Sequence, residues 1–324
     1  MLNMKNALLL ALVLLVGPSS QAQSQGHTRH HQIRTLRSVC FPKNKLHLLD
    51  QINGPTNVTE EQFHKIIDNA VAYYQPIVKK HGAELKANKL WTNGTVNASA
   101  QQNGNTWIIN MYGGLARRPE VTPDGFALVV CHEIGHHLGG YSFYGDDDWA
   151  AAEGQADYFS THACAKAIWS RSQGKNAKSR HYVDSFAKKA CDTVYGNQAE
   201  RDLCYRRTEG GQSLANLLAK LGNSPLPKYE TPDASRVSHT DVSHPQAQCR
   251  LDTYLMGTLC TKDFDGAMIP ARDPKGGQTS IEAEKEAMKY SCMIADGYKV
   301  GYRPMCWFKP LIGGSKNYRR HHAI

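Results

Sequence analysis

The chain has 324 residues, 41% hydrophobic and 21% charged, with a formal net charge of +9. This is globular composition, so a fibrous or low-complexity chain is excluded, and the length allows one large domain or two small ones with a sizeable core. The charge sits at the ends: Arg29, Arg34, Arg37, Lys43 and Lys45 before residue 50, and Lys299, Arg303, Lys309, Lys316, Arg319 and Arg320 after residue 296, leave the region between them net acidic. The basic ends read as solvated tails with at most a weak attraction to anionic surfaces. They offer no aromatic-studded folded face, which argues against nucleic acid as a partner.

In chain order, Lys5, the apolar run Ala7 to Val16 and Ser20-Gln21-Ala22 have the pattern of a cleavable export signal over 1–22. The apolar run is too short to span a bilayer, and no later stretch is long enough, so the expected mature chain carries no transmembrane segment. Residues 23–38 are polar and His/Arg-rich and read as disordered. Thr59 and Gln62 form a capping-box pattern opening a helix that closes at His81-Gly82. Thr95 to Gln101 and Thr106 to Met111 flank Asn103-Gly104, a hairpin signal. A helix begins at Pro123-Asp124 and runs to Leu138. Asp147 or Asp148 is the expected cap of another, running through Ala156 to about Trp169. A lysine-rich connector follows, then a short helix over Ser213 to Leu221, an extended loop over 223–248, and a last helix from Ser280 through Met293.

The segment that carries chemistry is His132-Glu133-Ile134-Gly135-His136. Residues four apart lie on one helical face, so the two imidazoles can converge on one ion, and Glu133 beside them can act as general base toward a water molecule. A catalytic zinc site needs a third protein ligand. Glu153, on a second small-sided helix, is the candidate; His137, expected at the surface, and His162 are alternatives. Asp157, one turn beyond Glu153, can accept the second N–H of a ligating histidine.

The chain resembles the M48 family of gluzincin metallopeptidases, which includes the HtpX-like and Ste24-like proteases. The resemblance rests on Val96-Asn97-Ala98-Ser99-Ala100, Gly113-Gly114-Leu115, His132 to His136, Glu153-Gly154-Gln155-Ala156-Asp157, and Ser243-His244-Pro245 with Arg250. It implies an α+β zincin-like fold, mainly helical with a small antiparallel or mixed sheet lining a cleft. It also implies one Zn2+ per chain and hydrolysis of polypeptide substrates. His244 would stabilise the oxyanion, Arg250 would anchor the loop or the site carboxylates, and Asn97 would bind substrate. An extended peptide is expected to add to the strand at 106–111. The implied domain spans 59–260, between a basic segment at 23–58 and a cysteine-containing basic extension at 261–324. The alternatives are another zinc amidase, or a non-proteolytic, chaperone-like zinc protein whose site is gated by loop 223–248.

All nine cysteines follow the signal segment, so export to a periplasmic or extracellular space makes disulfides the expectation. Neighbours in sequence suggest Cys191–Cys204, Cys249–Cys260 and Cys292–Cys306. The odd count leaves one thiol, for which Cys131, on an apolar helix, is the candidate.

Overall fold

The computed structural model describes residues 37–42, 44–48, 57–144, 149–264 and 266–313. The signal segment expected at 1–22 lies outside them, as do the caps expected at Asp147 and Asp148. The described residues all fall in one compact unit.

The elements in order are β1 (Arg37–Val39), α1 (Glu60–Lys80), β2 (Glu84–Leu90), β3 (Ala98–Asn103), β4 (Thr106–Tyr112), α2 (Gly113–Ala116), α3 (Pro123–Leu138) and α4 (Glu153–Phe159). A π-helical turn, Ser160–Ala165, joins α4 to α5 (Lys166–Trp169); then come α6 (Gln173–Lys178), α7 (Ser185–Val194), α8 (Gln198–Leu221), α9 (Ala247–Leu259) and α10 (Ile281–Ala287). The fold is thus α+β and mainly helical. Among the described residues no helix is long and apolar enough to cross a membrane.

The sheet is mixed, in the order β1-β3-β4-β2. β3 and β4 form the hairpin read from Asn103-Gly104, with Gly104 at φ +55° in the turn, and β2 runs parallel to β4. This corrects the expectation that 106–111 lies at the cleft edge: β4 is paired on both sides. The edge strands are β1 and β2; β1 takes the side of β3 away from β4, antiparallel, with Arg37 opposite Gln101 and Val39 opposite Ser99. Residues 37 and 38, which composition placed in a disordered segment, are therefore strand.

Helix α3 is the hub. Thr122 caps it and Pro123 opens it, and every residue from Gly125 to Leu138 is buried. It packs against α1, α4, α8 and the sheet, which is why it is apolar all round rather than on one stripe. Helix α1 carries the capping box in full, with both the Thr59 and the Gln62 bonds made.

Several helices depart from the sequence reading, and α2, α6, α7 and α9 were not read from it at all. α4 begins at Glu153 without a side-chain cap. α10 ends at Ala287, though Ser280 caps it as expected. α8 runs 24 residues where a connector and a short helix were expected. Its charged residues misled the reading because two that are buried find partners on other elements: the Arg206 guanidinium meets Asp124 at 2.6 Å, and Asp202 takes the exposed Arg180.

Four disulfides form: Cys131–Cys164, Cys191–Cys204, Cys249–Cys306 and Cys260–Cys292. Only Cys191–Cys204 matches the pairing by proximity. The free thiol is Cys40, buried, and not Cys131, which joins α3 to the π-helical turn. Cys249–Cys306 and Cys260–Cys292 tie α9 to the segment after it. There Arg303, counted among solvated tail charges, is buried, donating to the carbonyl of Tyr141 and stacking 4.0 Å from the Phe308 ring centroid.

Candidate metal centre

Two close helix contacts build the site. Gly135 lets α3 lie against α4, where an added Cβ would meet the Ala156 backbone at 3.1 Å. Gly257 lets α9 lie against the end of α4, where a Cβ would meet the Tyr158 carbonyl oxygen at 2.7 Å. His132 and His136 from α3, Glu153 from α4, and Arg250 and Tyr254 from α9 therefore converge.

His132 Nε2 and His136 Nε2 are 3.1 Å apart, and Glu153 carboxylate oxygens lie 3.3 Å from the first and 3.7 Å from the second. These groups form a cluster able to hold a metal ion. The other ring nitrogens settle the protonation of the neutral rings. His136 Nδ1 is 2.7 Å from the carbonyl of Ala151, which can only accept, so that nitrogen carries the hydrogen. His132 Nδ1 is 2.8 Å from Asp157 Oδ1, again an acceptor. Each neutral ring then presents an Nε2 lone pair to the other and to Glu153. Burial opposes protonation of His132, but Cys40 and then Asp157 outweigh it and raise its pKa well above the ordinary value, so without a metal a proton can bridge the two Nε2 atoms. With both rings neutral, three electron-pair donors face one point, and the residues fit a metal.

Asp157 is held by more than His132. Arg250 Nε donates to its Oδ2 at 2.5 Å, Arg250 Nη2 to Oδ1 at 2.6 Å, and Tyr254 Oη to Oδ1 at 2.8 Å. Asp157 and Arg250 are fully buried. Burial alone would raise the Asp157 carboxyl, but Arg250 and then His132 hold it below its ordinary range. Glu153 behaves alike: burial opposes ionisation, and His136, His132 and His244 outweigh it. Burial pushes His136 down to about 4, which keeps it in the neutral form a ligand needs.

Glu133 is fully buried, and neither of its carboxylate oxygens makes a hydrogen bond. Burial, with Glu153 nearby, pushes its pKa up to about 8. Its carboxylate, His132 and the Cys40 thiol form a second cluster, their nearest ligand atoms all within 4.8 Å of one another.

The remaining candidates fall as follows. His244 Nε2 lies 3.6 Å from Glu153 Oε1 and keeps 18% side-chain exposure, the most open position around the site. Its loop is held by the bond from Glu153 N–H to the Val242 carbonyl and, just beyond, by Cys249–Cys306. Asn97 bonds the backbone of Phe41 from both sides of its amide. His137 is buried, not exposed as expected: its ring is stacked between Trp107 and Trp149 at 5.3 and 5.1 Å, and burial lowers it to about 3. His162 bonds the Lys262 carbonyl, away from the cluster. Sequence reasoning missed Tyr254 and Cys40. Tyr254 stands one turn after Arg250 and could have been found by that spacing; Cys40 was passed over because Cys131 adjoins His132.

Comparison with protein-family models, curated proteins and solved structures finds no match.

Proposed function

We propose that this protein is an exported zinc metallopeptidase of zincin-like fold, akin to the M48 gluzincins, with polypeptides as substrates. The observation that carries the reading is the Glu133 carboxylate, buried without a hydrogen-bond partner beside two imidazoles and a carboxylate whose lone pairs converge. A buried unpartnered carboxylate costs stability, and a purely structural metal site would not need it. One zinc would be held by His132 Nε2, His136 Nε2 and Glu153, a donor set that suits zinc with one position left open. Zinc held there supplies Lewis acidity and activates water toward a peptide carbonyl.

The chain's own residues do the rest. Glu133 takes a proton from the attacking water and returns it to the leaving amine, a task for which a pKa near the working pH is suited. Asp157 and the Ala151 carbonyl hold the two imidazoles in the tautomer that offers Nε2. Arg250 and Tyr254 hold Asp157. His244, at the open side, is placed to donate to the developing oxyanion. Four disulfides accord with an oxidising compartment, periplasmic or extracellular.

The test is digestion of casein by the purified chain, with and without chelator, beside Glu133→Gln. Chelation should abolish hydrolysis, and Glu133→Gln should keep its metal yet lose at least about 10²–10⁴-fold in turnover. Unchanged hydrolysis in that variant would refute the mechanism. A gated site is also favoured by one observation, the complete burial of His132, Glu133, His136 and Glu153.

A further inference from the structure

What closes the site is the chain itself. Residues 37–41 run antiparallel along β3, the strand whose outer edge would otherwise accept an extended peptide. The pairing continues past β1: the Cys40 N–H donates to the Ala98 carbonyl at 3.2 Å, the Phe41 N–H to Asn97 Oδ1 at 3.1 Å, and Asn97 Nδ2 to the Phe41 carbonyl at 3.1 Å. Asn97, the residue expected to bind substrate backbone, is thus bound to this chain's own backbone. Arg250 Nη1 adds a bond to the Cys40 carbonyl at 2.8 Å, and Phe41 is fully buried with the Arg250 guanidinium 5.7 Å from its ring centroid.

This register brings Cys40 Sγ into the cluster with His132 and Glu133. Cys40 is the one cysteine outside the four disulfides, and it sits beside a buried Glu133 carboxylate that no hydrogen bond satisfies. A thiol there is a soft donor next to His132, the residue this cluster shares with the one formed by His132, His136 and Glu153, the setting in which a thiolate can join a zinc site.

We propose that residues 37–41 occupy the substrate cleft as an internal pseudosubstrate and that Cys40 Sγ is the fourth ligand of the metal, keeping the enzyme latent. The inference rests on the metallopeptidase reading above. On metal loading the thiol gives its proton to water and the sulfur binds as thiolate. With the fourth position taken, no water is activated and β3 has no edge to offer. Activity would come from the fraction of chains in which residues 37–41 have left, by cleavage near that segment or by displacement; that fraction is what casein hydrolysis reads, and loss of the Cys40 ligand raises it.

The test is X-ray absorption at the zinc edge of the full chain with its disulfides intact. The expected spectrum has one sulfur scatterer at about 2.3 Å and nitrogen or oxygen scatterers at about 2.0–2.2 Å. Cys40→Ala should keep its zinc, lose the sulfur scatterer and hydrolyse casein faster than the unaltered chain. The unaltered chain decides the matter even if the variant fails to fold. Zinc bound by nitrogen and oxygen alone would overturn the thiolate proposal and leave the metallopeptidase reading standing, and a sulfur scatterer persisting in Cys40→Ala would overturn it as well. A chain that binds no zinc would overturn both.

Discussion

Replacing Asp157 with Asn changes one atom and should damage the protein in two separable ways. Asp157 Oδ1 accepts from His132, Arg250 and Tyr254, and Oδ2 accepts from Arg250 Nε. An Asn oxygen in the Oδ1 position leaves its NH2 facing Arg250 Nε, donor against donor, and takes from a fully buried guanidinium the carboxylate it is bonded to. Breaking a buried ion pair from one side costs about 3–5 kcal/mol, here toward the lower end because the amide oxygen still accepts. That is a large share of a domain stability of about 5–15 kcal/mol. His132 also loses the charge that orients its ring, for which about 10–100-fold in metal affinity is expected. Guanidinium unfolding of the chelated chain, disulfides intact, measures the first effect, and competition with a chromophoric chelator measures the second. A double-mutant cycle with Arg250→Met should show a coupling of at least about 1 kcal/mol. A stability loss under about 1 kcal/mol with unchanged metal affinity would refute the role given to Asp157.

Other perturbations probe the scaffold and the rim of the site. Cys131–Cys164 closes a separation of 33 residues between α3 and the π-helical turn, so the double Ser variant should lose about 3–4 kcal/mol by loop entropy, read by chemical unfolding; no loss would mean the denatured chain is not constrained by this link. Burial raises Glu209 on α8 to about 7 from an ordinary 4.5. Its unfolded carboxyl therefore ionises first, and stability falls as pH rises from about 4.5 to 7 and stays reduced above that. Glu209→Gln should then stabilise the chain by about 1–3 kcal/mol at pH 8, after allowance for partial exposure, and by little at pH 5; an equal gain at both would dismiss the carboxyl as the cause. His244→Ala should lower kcat about 10²–10³-fold with KM and zinc content steady, whereas a raised KM with steady kcat would make its loop a substrate-binding lid.

The parts legible in the sequence are those governed by local chemistry. The capping box at Thr59, the Asn103-Gly104 turn, the Pro123 helix start and the i, i+4 histidines each act through near neighbours, and each was read correctly. Asp157 was found because it stands one turn beyond Glu153 on the same helix. What escaped depends on groups distant in the chain. Cys249–Cys306 and Cys260–Cys292 are set by how the segment after α9 folds back. The length of α8 was hidden because its Arg206 and Asp202 look solvated in sequence but are paired in the fold with Asp124 and Arg180, which lie on other elements. His137 was placed at the surface by helical phase alone, yet the tryptophans that cover it come from β4 and from the chain beyond α3. Cys40 was invisible as a site residue since more than ninety positions separate it from His132, and only the pairing of β1 with β3 brings them together.

The central claim, that His132, His136 and Glu153 together hold one zinc, is tested most directly by metal analysis of the purified chain beside His136→Ala and Glu153→Ala. The account predicts one zinc per unaltered chain and a large loss from both variants, each still folded by circular dichroism. Full zinc occupancy in Glu153→Ala, or no zinc in the unaltered chain, would contradict it.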